Sequence, residues 1–447
     1  MNILIINGSP KGKDSTTLYT SLYLEKLNPG HEFRVIHAAR KIRAYENDFS
    51  GVHEELLWAD IIVFSYPVYT FLVPYQLYRF IELIKASGID ISGKYATQIS
   101  TSMHFYDVTA HEFIRENCLD MGLKYIRGLS AGMDDLTCEK GRRQAEDFFA
   151  QIIFCAEHGI YESGAKKSGY VQKEYVPTLG KAEKTGKKRI AVLSSVKEDD
   201  GCLKNMLADF ENATENEVKL IELNKYPFSG GCLGCLECAI NGKCVYKDGF
   251  EDYLRNEINT CDAFIYAFNI ENHYMPSSFK LFDDRQFCNG HRTVTTGKPA
   301  GYIICGDIEN EHNLKTVIEA RSEVGGNFLC GIAADTGDTA KNISELALTM
   351  DTALKKGWSR PMNFYGTGGT KIFRDLIFMM RGIMREDHRF YKKHGIYDFP
   401  HKQRGKILLM QLAGAMLRNP SVKKKMGGKL SGFMTMPYKK VLDDMDK

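Results

Sequence analysis

The sequence predicts two doubly wound α/β domains in tandem, each with a parallel five-stranded sheet, and a basic α-helical extension behind them. Three observations lead there. Short Val/Ile-rich runs alternate with segments of helical periodicity. The alternation occurs twice, at a nearly constant offset. The C-terminal part then carries a charge balance opposite to the rest.

The repeat is read directly. Asp60-Ile-Ile-Val-Phe-Ser-Tyr-Pro67 leads through a loop to Pro74-Tyr-Gln-Leu-Tyr-Arg-Phe80. Asp262-Ala-Phe-Ile-Tyr-Ala-Phe-Asn269 leads to Pro276-Ser-Ser-Phe-Lys-Leu-Phe282, an offset of 202. Gly93-Lys94 matches Gly297-Lys298 at offset 204, and Gly122 and Gly128 match Gly325 and Gly331 at offset 203. Chance does not hold an offset over so long a stretch, so the chain contains two copies of one domain.

In the first copy, apolar runs at 2–7, 32–37, 60–66, 95–101 and 125–131 predict strands. Segments 16–27, 75–85, 110–121 and 140–156 place apolar residues three and four apart and predict helices. The second copy has strand-like runs at 189–194, 218–223, 263–269, 300–306 and 328–334. Near-continuous apolar strands between helices belong to parallel sheets covered on both faces. The predicted boundaries are 1–160 for the first domain, 161–188 for a linker rich in Lys, Gly and Glu, 189–355 for the second domain and 356–447 for the extension. Helical periodicity in the extension covers 371–385 and 406–418.

Composition excludes several classes. Of 447 residues, 43% are hydrophobic and 26% charged, which excludes wholesale disorder. No run approaches the roughly 18 apolar residues of a membrane-spanning helix, and the first residues have no secretory leader pattern. A cytoplasmic, reducing location is the expectation. The net charge of +3 conceals +14 over 355–447 and −11 over the remainder. The basic extension suits a solvated helical cap over the acidic pair, or an arm for an anionic partner. Nothing in it favours nucleic acid, and its Gly366-Thr-Gly-Gly-Thr-Lys371 reads as a glycine turn before a helix.

The chemistry concentrates at three places in the first copy. Asn7-Gly8-Ser9-Pro10-Lys11-Gly12-Lys13-Asp14-Ser15-Thr16-Thr17 joins the first strand to the first helix. Free amides and the positive end of a helix dipole suit a phosphate there. Ser65-Tyr66-Pro67-Val68-Tyr69 follows the third strand, on the far side of the topological switch where such sheets bind ligands. Ser100-Thr101-Ser102-Met103-His104-Phe105-Tyr106 follows the fourth.

The first turn resembles the Gly-Ser-Pro-Arg-x-x-Ser-x-Thr signature of the NADPH-dependent FMN reductase and iron–sulfur flavoprotein families, with Lys11 in place of the arginine. The resemblance implies a flavodoxin-like fold in each copy, and FMN with its phosphate on Ser9, Lys11, Ser15, Thr16 and Thr17. It implies that Pro67, Val68 and Tyr69 lie against the isoalloxazine ring, with Ser100, Thr101 and Ser102 at the ring's polar edge.

The second copy departs at the phosphate turn, where Ser194-Ser-Val-Lys-Glu198-Asp199-Asp200-Gly-Cys202 sets three acids in a row that repel a dianion. Its Asn272-His-Tyr-Met-Pro276 and Asp284-Arg285 still resemble the family's ring loop. It also holds an insertion, Cys232-x2-Cys235-x2-Cys238-x5-Cys244, four of the chain's twelve cysteines. Thiolates so spaced suit a [4Fe–4S] cluster; zinc and free thiols stay open. The compact motif resembles that of iron–sulfur flavoproteins.

The expected function is an FMN-dependent oxidoreductase, NAD(P)H- or ferredoxin-linked, with a [4Fe–4S] relay. A clusterless NAD(P)H-dependent reductase of quinones, nitro compounds or flavin is the alternative. A non-catalytic flavin- or metal-sensing module with a partner-binding tail is the alternative of another class. The partner is a small molecule or a redox protein, and a homo-oligomer is compatible with the sequence.

Overall fold

In the computed structural model, residues 1–164, 169–172, 174–398, 404–418, 420–421 and 441–445 are described. The first copy runs β1 (Asn2–Asn7), α1 (Thr16–Leu27), β2 (Glu32–Ile36), α2 (Ile42–Asn47), α3 (Ser50–Trp58), β3 (Ile61–Pro67), α4 (Tyr75–Ala86), β4 (Tyr95–Ser102), α5 (Asp107–Asp120), β5 (Lys124–Tyr125), β6 (Leu129–Gly132) and α6 (Glu139–His158). The order across its parallel sheet is β2-β1-β3-β4-β5, with β6 also on β4. Ile3, Leu4, Ile5 and Ile6 are all buried, as a central strand with helices on both faces requires.

The second copy runs β7 (Arg189–Ser194), α7 (Gly201–Ala213), β8 (Glu217–Glu222), α8 (Glu237–Asn241), α9 (Phe250–Tyr253), β9 (Ala263–Asn269), α10 (Ser277–Arg285), β10 (Pro299–Cys305), α11 (His312–Gly325), β11 (Phe328–Ala334) and α12 (Thr339–Lys356). Its sheet order, β8-β7-β9-β10-β11, repeats the first. Beyond it come α13 (Phe364–Met379), α14 (Arg385–Lys393) and α15 (Arg404–Leu417). Chain contacts gather Met1–Phe390 into one compact unit and Tyr391–Lys447 into another. Among the described residues, no helix is long and apolar enough to cross a membrane.

The structure departs from the sequence reading in three details. The fifth run of the first copy breaks into β5 and β6. Two short helices, α2 and α3, fill the connection before β3, where apolar spacing was too brief to mark them. The counterpart of Gly122 is Gly326 rather than Gly325: Gly93 donates its amide to the carbonyl of Gly122 (2.9 Å) and Gly297 to that of Gly326 (2.8 Å). The described part of the 161–188 segment forms no helix or strand. Tyr175 donates to buried Asp209, as do the amides of Thr178 (2.9 Å) and Leu179 (3.0 Å).

The two copies face each other through equivalent helices. Tyr78 on α4 donates to the carbonyls of Glu271 (3.0 Å) and Met275 (2.7 Å). Its positional equivalent Lys280 on α10 donates to the carbonyl of Tyr69 (2.9 Å). The Tyr75 amide donates to Asp284 (2.7 Å), and the Ser277 amide to Glu82 (2.9 Å), the matching pair. Thr70–Phe71 and Asn272–His273 both take the left-handed backbone conformation, so both copies kept the same tight turn. These reciprocal contacts are those of an isologous dimer fused into one chain.

At the rim of this interface His273 spans Asp120 (3.0 Å) on the first copy and Glu311 (3.1 Å) on its own. Burial pushes its pKa down, but the hydrogen bonds and charge of Asp120 and Glu311 outweigh burial and raise it to about 10. Lys85 also meets Asp120 (2.7 Å), and Glu116 lies close by. With the folded pKa above the unfolded value, the stabilisation is full below about pH 6.5 and is lost as pH rises toward 10. Urea titrations from pH 6 to 10 should therefore show stability falling in the native chain. That slope should flatten in His273→Gln; an unchanged slope contradicts the bridge.

Candidate functional site

A cavity of about 340 Å³ opens at the carboxyl ends of β1 and β3, where a doubly wound sheet binds its ligand. Its floor is the turn before α1. Ser9, Lys11, Asp14, Ser15 and Thr16 line it. Ser15 caps α1 through the Leu18 amide (3.5 Å), and the amides that follow have no preceding helical carbonyl to bond. Pro67, Val68, Tyr69 and Thr70 line one side, and Thr101, Ser102, Met103 and Phe105 another. The Thr70 hydroxyl is buried with no hydrogen-bond partner. An open helix terminus fits an anionic ligand that accepts hydrogen bonds, and the unpartnered Thr70 hydroxyl belongs to a residue lining the same cavity.

Two expected residues lie off the cavity wall. Thr17 is buried on the sheet-facing side of α1, where its hydroxyl meets that of Thr101. Ser100 sits one position before Thr101, so its side chain leaves the opposite face of β4 and meets His111 (2.8 Å). His104 pairs with Asp107 (2.8 Å) and does not line the cavity.

The opposite wall comes from the second copy. Cys232, Cys235, Cys238 and Cys244 all line this same cavity, and no residue of 272–275 does. Gly234 holds φ at +63°, and a Cβ there would lie 2.0 Å from the Tyr69 hydroxyl. Only glycine lets the cysteine loop settle on the Tyr69 ring. Gln76 on α4 donates to the carbonyl of Cys232 (3.3 Å), and Arg43 to that of Ser229. At the base of the loop, buried Arg285 makes two 2.8 Å bonds to Asp248 and one of 2.9 Å to the carbonyl of Gly230. Its guanidinium stacks over Tyr246 at 4.3 Å. At the other end, the Cys244 amide donates to Glu251 (2.5 Å) and Arg255 donates to the carbonyl of Gly242 (2.7 Å).

No three of the four sulfurs come within 4.8 Å of one another. Thiolates on a single tetrahedral zinc stand about 3.8 Å apart, closer than this loop holds any three of its sulfurs. Four cysteines on one wall fit a four-iron cluster as donors. Burial pushes the Cys232 thiol up, and that of Cys238 to about 11. Ligation must therefore displace protons, which a bound metal does.

Several cavity residues had no signal in the sequence reading. Cys288 is a buried fifth thiol on the wall, held up at about 12 by burial. An isolated cysteine carries no spacing pattern. Phe287, His291 and Phe373 continue an aromatic rim: Tyr69 to Phe287 (6.5 Å), Phe287 to His291 (5.6 Å), His291 to Phe373 (4.9 Å) and Phe373 stacked on Phe105 (4.1 Å). Phe373, Leu376, Met380 and Met384 bring the start of the extension into the wall. Helix α13 approaches because Gly369 has no side chain; a Cβ there would lie 2.6 Å from Val324. The glycine turn at 366–371 is thus the first part of a packed helix, capped by Asn363 through the Tyr365 amide (2.9 Å).

Cutting the chain after Lys356 should therefore open this wall as well as expose the surface under buried Ile377. Melting temperature should drop by on the order of 5 °C or more. An unchanged melting curve would mean that α13 contributes no packing.

Two family models match this chain. Residues 1–137 match the family described as flavodoxin-like fold, and residues 188–323 match NADPH-dependent FMN reductase. An iron-sulfur flavoprotein of Clostridioides difficile strain 630 is 24% identical over 163 residues, 35% of this chain and 71% of that protein. Among solved structures, general stress protein 14 of Treponema denticola in complex with FMN is 13% identical, with TM-score 0.29 over 34% of this chain and 98% of its own. The NAD(P)H:quinone oxidoreductase of Methanothermobacter marburgensis is 16% identical, with TM-score 0.27 over 37% and 98%. The chain is thus two flavodoxin-like domains in tandem, the second of them similar to NADPH-dependent FMN reductase over residues 188–323.

Proposed function

We propose that the chain is an FMN-dependent oxidoreductase that binds one FMN, in the first copy, and carries a [4Fe–4S] cluster on Cys232, Cys235, Cys238 and Cys244 as an electron relay. One observation carries the reading: the phosphate turn of one copy and the cysteine loop of the other line a single cavity. FMN bound there supplies two-electron chemistry toward a small donor such as NAD(P)H and one-electron chemistry toward a redox partner.

The protein's own part is binding and orientation. Ser15 and Thr16 offer hydroxyls and amides to the phosphate, and Lys11 adds a positive charge on the same wall. Tyr69 stays a neutral phenol, because burial and then the neighbouring Cys232 hold its pKa well above the ordinary value. The aromatic rim keeps water from the ring's faces. The second copy's equivalent turn carries Asp200 as the cap of α7 (3.1 Å to the Leu203 amide). A carboxylate at that cap favours cations over phosphate.

Stoichiometry and two variants test the reading. Anaerobically purified protein should contain one FMN and about four iron atoms per chain. Thr16→Asp should weaken FMN by about tenfold or more by setting a like charge against the phosphate. Cys235→Ser should remove iron and one-electron transfer while FMN stays bound. Two FMN per chain would sink the assignment to the first copy. Iron-free protein with full reductase activity would leave the clusterless quinone, nitro or flavin reductase.

A further inference from the structure

We propose that Cys202, Cys305 and Asp335 form a zinc site in the second copy, at the place where the first copy presents its phosphate turn. The ligand atoms of these three residues lie within 4.8 Å of one another, and all three residues are buried. The Cys202 and Cys305 sulfurs are 3.5 Å apart. Two thiolates on one tetrahedral zinc, with Zn–S about 2.3 Å, stand about 3.8 Å apart. The pair needs only a few tenths of an ångström to accept the ion, unlike the spread loop from Cys232 to Cys244.

The position has a history visible within the chain. Cys202 is the second residue of α7, as Thr17 is of α1. Cys305 stands 204 residues after Thr101, at the end of the corresponding strand. In the first copy these two places form the Thr17–Thr101 hydroxyl contact beneath the cavity. In the second the same contact is a pair of thiols, and a carboxylate joins it from the residue after β11. Hard donors that suit an anion's surroundings have been exchanged for soft anionic donors that suit a thiophilic cation.

Charge points the same way. Asp335 and Asp200 both act on each thiol as negative charges. Burial, foremost, pushes both thiols up, with Cys202 next for Cys305 and the two acids adding to each, so metal binding displaces protons. Asp335 is already oriented: the Gly306 amide donates to one oxygen (3.0 Å) and Tyr170 to the other. Each oxygen keeps a lone pair for a metal. This is the supported carboxylate a metal site requires. Two thiolates and one carboxylate leave a fourth position for water. Tyr170 belongs to the segment joining the domains, so the ion would clamp that segment, α7 and the ends of β10 and β11 together.

The test uses the full chain, purified without oxygen and dialysed against a weak chelator. Zinc, iron and FMN are counted per chain in native protein and in Cys202→Ser. The native chain should hold one zinc more than the variant, with iron and FMN equal in both. Zinc added to stripped protein should raise the melting temperature of the native chain and not of the variant. Equal zinc in both, copper in place of zinc, or a Cys202–Cys305 disulfide in the anaerobic protein would overturn the site. Should Cys202→Ser fail to fold, zinc-edge absorption of iron-loaded native protein decides. A shell of two sulfurs near 2.3 Å with oxygens near 2.0 Å is expected; a four-sulfur shell overturns it.

Discussion

Lys280 and Asp284, one turn apart on α10 and fully buried, pair with each other and reach across to the first copy. Lys280 holds the carbonyl of Tyr69 and Asp284 the amide of Tyr75, so one ion pair sets both ends of the loop against the cavity. Burial raises the Asp284 carboxyl while the ammonium beside it pulls it back. Removing either partner strands a charge, at a cost of about 3–5 kcal/mol. Arg285, the next residue, carries the cysteine loop through Asp248. The ring loop and the cysteine loop are therefore positioned by adjacent residues of one helix.

Fusion makes this asymmetry available. A symmetric dimer would have to place the same residue, tyrosine or lysine, glutamate or aspartate, at both copies of each position. Here Tyr78 answers Lys280 and Glu82 answers Asp284 across the pseudo-twofold contact. The first copy keeps an open, hydroxyl-lined turn; the second has acids and thiols there and contributes its insertion to its neighbour's cavity. Match to the FMN reductase family falls on the second copy, which kept the scaffold. The turn chemistry suited to phosphate stands in the first.

Short apolar runs and the repeat offset made the sheets legible: each of the ten runs falls on a strand of the two sheets, the fifth split between β5 and β6. The cavity was legible as three separate turns because each lies at the end of a strand whose order the topology dictates. What stayed hidden depends on facing. Thr17 and Thr101 had to be seen together before Thr17 could be placed under the floor, and Ser100 differs from Thr101 by a single step in a two-residue period. Cys288, His291 and the α13 side chains reach the cavity through tertiary packing alone, so no local spacing announces them. Gly369 allows that packing, yet in sequence it resembles a loop glycine.

The central claim is that one ligand touches both copies at once, and a crystal structure of the chain loaded with FMN tests it most directly. The phosphate should sit on the turn at Ser15 and Thr16, with the ring against the Pro67–Tyr69 loop and in contact with the loop that bears Cys232 to Cys244. A flavin bound at the Asp200–Cys202 turn, or a ring with no contact to the cysteine loop, would contradict it.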